Sequence, residues 1–272
     1  MSAPSISPLA MVGGLWRNRG LVGLLVAREV AGRYRGSVLG LVWSFFHPLL
    51  MLAVYTFVFS VVFQARWGTG SDSKAEFALV LFAGLMVYAL FAECLNRAPT
   101  LVVHNANYVK KVVFPLDVLP WVALGSALFH LAVSFVVWLG AYLVLFGVPP
   151  ATLVLLPAVL LPLVLLVLGL SWFLASLGVY LRDVAQVVGV LTSVLLFLTP
   201  IFYPLDILPP NFRALLALNP LTPLIGWARD VMIFGRLPDV RDFALYLAAA
   251  TLVAWAGFAW FQKTRRGFAD VL

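Results

Sequence analysis

An all-α polytopic membrane protein with six transmembrane helices in a single domain, residues 1–272, is the fold class the sequence predicts, and three observations carry it. The first is composition: 63% of the 272 residues are hydrophobic, 11% are charged and the mean hydropathy is +1.04, which belongs to a chain dissolved in lipid rather than water. The second is a set of uncharged runs at residues 38–63, 77–95 (with Glu93 near the interface), 118–146, 151–181, 184–203 and 243–262. At about 1.5 Å per residue, a run of roughly 20 residues crosses a hydrocarbon core. The third is charge. Twelve of the 18 Lys and Arg residues fall on one side of these alternating runs: Arg17, Arg19, Arg28, Arg33, Arg35, Arg97, Lys110, Lys111, Arg182, Lys263, Arg265 and Arg266. Basic loops favour the cytoplasm, so both termini are expected there, and targeting is expected to come from the spans themselves because no cleavable leader is visible.

Taken in order, residues 16–36 come first. Val22, Val26, Val30 and Tyr34 recur every four residues while Arg28 and Arg35 project elsewhere, which predicts an amphipathic helix in the cytoplasmic headgroup layer. It leads without a turn into the first span, 26 uncharged residues at 38–63. In the fourth span, Pro157 and Pro162 are expected to introduce kinks. The connection 96–115, with Pro99 near its start and Pro115 after its end, predicts a short helix parallel to the membrane and open to cytoplasmic partners. The connection 204–242 combines six prolines with apolar pieces too short to span, the pattern of re-entrant or interfacial helices whose free backbone groups need protein or water around them.

Several chemistries are excluded. No phosphate-binding G-x-x-x-x-G-K-[ST], no G-x-S-x-G and no H-E-x-x-H occurs, the histidines His47, His104 and His130 lie on separate segments, and the single Cys94 permits no internal disulfide. Clustered acids, bases or metal ligands of a membrane-embedded transferase are missing, and so are the intramembrane charges common in ion-coupled carriers. The +7 net charge is spread in short clusters between apolar runs, unlike a nucleic-acid site. What the spans do carry is aromatic side chains. In the first, Trp43, Phe46 and Phe57 share one face, with Phe45, Tyr55, Phe59 and Phe63 broadly opposite. Such faces stack on sugar rings or pack against lipid and core, and the pattern does not choose between these uses.

The stretch RYRGSVLGLVWSFFHPLLMLAVYTFVFSVVF (residues 33–63) closely resembles the start of the transmembrane subunit of bacterial polysaccharide ABC exporters, the permeases for O-antigen, capsule and teichoic acid. The likeness continues in NANYVKKVVFPLDVLP (105–120), YLRDV (180–184), TPIFYPLDILP (199–209), LNPLTPLI (218–225) and FAD (268–270), in order along nearly the whole chain. The resemblance implies a homodimer in the bacterial inner membrane, docked on two copies of a separate ATPase that binds ATP and Mg2+, with no cofactor or metal and no catalytic residue on this chain. It implies an interfacial helix carrying Arg28, Arg33, Tyr34 and Arg35. It further implies a coupling helix that meets the ATPase through Asn105, Asn107, Tyr108, Lys110 and Lys111, and external gate helices around Pro200, Pro204, Asn219 and Pro220. Trp43, Phe46, Tyr55, Phe59, Phe197, Phe202 and Tyr203 are the candidate lining of a path for a lipid-linked polysaccharide, most simply lipopolysaccharide O-antigen. Capsular glycan, teichoic acid, or a drug or lipid carried by a permease of the same fold are the alternatives. Lys110 and Lys111 are also placed to hold anionic lipid headgroups. His47 departs from the pattern, standing where an Asn before the proline is expected.

Overall fold

The computed structural model describes residues 5–58, 74–109, 114–205 and 208–272, and within them every regular element is a helix. Two helices precede the first span. Helix α1 (Pro8–Arg17) starts where the Ser7 hydroxyl accepts from the Leu9 amide and Pro8 occupies a first-turn position that needs no donor. It stops at Asn18, and α2 (Arg19–Arg33) follows. The single helix expected at 16–36 is thus divided. Gly36 and Gly40, both at positive φ (83° and 51°), then turn the chain into α3 (Trp43–Tyr55).

The core is built by α4 (Lys74–Arg97), α6 (Leu119–Phe146), α7 (Leu156–Tyr180) and α11 (Val240–Thr264), with α5 (Ala106–Val109) a single short turn between α4 and α6. Counting the 3-10 and π turns that extend some of them, five helices among the described residues are long and apolar enough to cross a membrane: 40–58, 75–100, 116–146, 151–180 and 240–271. The remaining expected crossing, 184–203, is shorter. Helix α8 (Val184–Leu198) has 15 residues, about 22 Å, and it ends because Thr199 precedes Pro200 and is driven to an extended backbone (φ −101°, ψ 139°). Beyond it come α9 (Pro210–Ala217), α10 (Leu221–Arg229) and a five-residue π turn to Phe234. The last helix, α12 (Phe268–Val271), returns Phe268 to the core.

Small residues set how closely these helices approach. A Cβ on Gly257 of α11 would lie 2.0 Å from the Gly169 carbonyl of α7, and one on Gly169 would lie 2.4 Å from the Val253 carbonyl. Backbone against backbone is how membrane helices gain dispersion where water drives nothing together. Trp172 packs edge-on against Phe258 next to these contacts and Trp138 fills a second cluster with Leu79 and Val159; both are fully buried, with their indole N–H groups donating to the Asp117 and Leu79 carbonyls at 3.1 Å each. In α7, Pro157 sits in the first turn and only Pro162 lies inside the helix, so the two prolines are not equivalent.

Helices α3 and α8 differ from this core. Each touches it along a narrow stripe, Ser44 and Pro48 on α3 and Val188 and Thr192 on α8, and leaves most apolar side chains exposed.

Candidate functional site

At the basic end, the α2 stripe is used against protein. Val22 packs with Val118 and Val122, Val26 fits over Gly125, and Arg33 reaches His130. Contacts therefore advance together along both chains, so α2 runs alongside α6 in the same direction. Its far end is tied by a knot of charge. Arg33 Nη1 donates to Glu93 Oε1 at 2.5 Å, and His130 Nδ1 lies 3.0 and 3.1 Å from the two oxygens of that carboxylate. Arg97 lies 3.7 Å from Glu93 and donates to Glu29 of α2. The Tyr34 ring meets His130 edge-on, and its burial raises the phenol pKa against the opposing pull of Arg33. Arg28 and Arg35 are exposed.

The segment after α4 is partly built into the core. Pro99 and Val102 are buried, and the Pro99 carbonyl would sit 2.0 Å from a Cβ on Gly178. Further along, Asn105 donates to the Leu101 carbonyl, Tyr108 stacks on Phe114 at 4.2 Å, and Asn107 is exposed. Lys110 and Lys111 lie outside the described residues. Asn105 and Tyr108 nevertheless join Arg28 and Glu29 in lining one cleft of about 310 Å³, which brings the segment expected to meet the ATPase beside the expected interfacial helix.

The opposite end is organised around the reversal after α8. Stopping a helix inside the bundle frees carbonyls that lipid cannot satisfy. Asn219 takes the Leu198 carbonyl and the Thr199 hydroxyl at 3.2 and 2.8 Å, while its own oxygen accepts from the Leu221 amide and starts α10. Arg229, 5% exposed, takes the Pro200 and Ile201 carbonyls at 2.7 Å each and the Val80 carbonyl of α4 at 2.9 Å. Asn219 and Pro200 were expected here, and Pro204 and Pro220 flank them. Arg229 was not: read in sequence it is one more basic residue of a connection. The available signals were an Arg closing an apolar helix that is too short to span, and Gly84 on a span that could make room for it.

The aromatic candidates form two groups. Trp43 and Phe46 pair edge-on at 5.8 Å at the start of α3; Phe197 and Phe202 stack at 5.8 Å, and the Tyr203 hydroxyl donates to the Phe197 carbonyl. Both helices start at the basic end, so the groups lie at opposite ends of the molecule. Tyr55 is half-buried toward the core side of α3, His47 is on its exposed side, and Phe59 lies outside the described residues.

A bundle of apolar helices joined by glycine contacts, with an amphipathic helix tied to its basic end and short broken helices at the other, defines a polytopic membrane protein. The chain belongs to the ABC-2 type transporter family, whose profile matches residues 20–233. It is 31% identical to the O-antigen export system permease protein RfbA of Myxococcus xanthus over 96% of this chain and 99% of that one. A protein of the same name from Klebsiella pneumoniae is 27% identical over 93% of this chain and 95% of its own. The polysialic acid transport protein KpsM of Escherichia coli is 25% identical over 84% of this chain and 87% of its own.

Proposed function

We propose that this chain is the transmembrane subunit of an ATP-driven exporter that carries a lipid-linked polysaccharide, O-antigen in the first instance, across the bacterial inner membrane. The observation that carries this reading is the family membership together with 31% identity to an O-antigen export permease along almost the full length of both chains. Likeness to a polysialic acid transporter supports capsular glycan as the second reading.

The geometry suits the task. A long polar glycan needs a continuous lumen, and one subunit of this size packs its own helices tightly, so the lumen forms between two copies. The exposed apolar sides of α3 and α8 support that arrangement, and so does the placing of aromatic groups at the start of α3 and the end of α8. ATP and Mg2+ act on a separate ATPase. Its stroke enters where the cleft joins α2 to the segment carrying Asn105, Asn107 and Tyr108, and the charge knot passes it to α4 and α6.

The test is complementation: a strain making O-antigen but lacking its export permease receives this chain with its cognate ATPase. Long O-antigen on the cell surface is expected, and lipid-linked glycan retained inside despite stable expression of both chains would overturn the reading. Return of a capsule alone, in a matching capsule-export mutant, would select the second.

A further inference from the structure

We propose that Arg229 is a positioning residue that clasps the chain reversal at the end of α8 to α4, so that α10, this reversal and the rings it carries stay with α4. The transport meaning of the clasp rests on the export reading; the clasp itself does not.

The guanidinium is the one side-chain group whose planar fork offers five donors, and here three of them meet backbone carbonyls from two separate parts of the chain, Val80 on α4 and Pro200 and Ile201 on the reversal. Space for it is made by Gly84, where a Cβ would stand 2.6 Å from Arg229 Nη2 and 3.2 Å from Ile225 of α10. Opening this contact would take a donor from each of three backbone carbonyls inside an apolar bundle, so the clasp is built to persist. The reversal also carries Phe202 and Tyr203, both tied back to Phe197, so its position sets where these rings stand. Helix α9 is held in another way: Arg213 on it donates from Nε to the Leu208 carbonyl at 2.6 Å. Phe212 on it and Leu218 just after it are exposed, and the Thr222 hydroxyl bond to the Leu216 carbonyl joins its end to α10.

The experiment reads the accessibility of Ile201, which is fully buried beside the clasp, with Cys94, equally buried elsewhere on α4, as the internal control. Purified permease carrying Ile201→Cys is reacted with a water-soluble maleimide, alone and combined with Arg229→Gln, Arg229→Lys or Gly84→Ala. Gly84→Ala keeps the guanidinium and pushes it off its carbonyls, which keeps the test open should Arg229→Gln not accumulate. Labelling at position 201 is expected to quicken about ten-fold or more with Arg229→Gln or Gly84→Ala, and less with Arg229→Lys, while Cys94 stays protected. Unchanged labelling at position 201 in Gly84→Ala and in every Arg229 variant that accumulates would overturn the clasp. Equal labelling of Cys94 would also overturn it, since the whole fold would then have loosened. Labelling needs no substrate, so this result stands apart from export. Normal export by a variant with a released clasp would remove its part in transport.

Discussion

Charged side chains in an apolar bundle are held by partners far away in sequence, and the partner rather than the residue type decides what each can do. Glu93 shows this most directly. Its carboxylate, 18% exposed, gathers Arg33, Arg97 and His130 from three helices, whereas Arg33 is 53% exposed. Glu93→Gln is therefore expected to destabilise by about 1–3 kcal/mol, because it leaves several donors facing an amide at once. Arg33→Gln is expected to cost under about 1 kcal/mol, since water screens a half-exposed partner. Thermal unfolding of the purified permease checks both, and a larger drop in Tm for Arg33→Gln would reverse the ranking. Glu93 was legible as an interface acid at the end of a span. Its role as the centre of a knot was not, because His130 lies 37 residues away and Arg33 lies 60.

Among the helices, shape is set where glycine removes a side chain. Gly257→Ala should force α7 and α11 apart, since the new methyl would stand 2.0 Å from a backbone carbonyl that cannot rotate away. A large fall in Tm and in membrane accumulation is expected. Gly140→Ala in α6 and Gly189→Ala in α8, where nothing lies within 4 Å, should be neutral or stabilising by up to about 1 kcal/mol. The same Tm series checks the contrast. The span pattern was largely readable from hydropathy, because the length of an apolar run maps directly onto helix length. The exceptions are α8, which X-Pro sterics at Thr199–Pro200 stop early, and the 16–36 helix, which Asn18 divides.

Across the molecule, α2, α4 and α6 form one block through the stripe of Val22 and Val26 and the knot at Glu93, while α3 hangs from that block through Gly36 and Gly40. A push delivered at the cleft beside Asn107 would therefore move several helices together. Asn107 is exposed, so Asn107→Glu is expected to weaken co-purification of the ATPase several-fold without lowering permease levels; undiminished association would move the contact elsewhere. Orientation is checked separately. Cysteines introduced at residues 72 and 211 should react with a membrane-impermeant maleimide on intact cells, and one at residue 107 only after lysis. The reverse pattern would invert the topology on which the direction of transport depends.

By itself the sequence determined the class, the apolar runs, the side on which positive charge collects, and a family likeness strong enough to name the transported class. These are additive properties: transfer free energy and charge accumulate residue by residue, so they can be summed along the chain without knowing what touches what. Only the tertiary structure decided that Arg229 clasps Val80 across 149 positions, that Gly169 and Gly257 bring α7 and α11 backbone to backbone, that Glu93 joins three helices, and that the aromatic candidates divide between two ends. These are pair properties. Each depends on two residues meeting at a particular distance, and nothing in the local periodicity of either partner specifies the other.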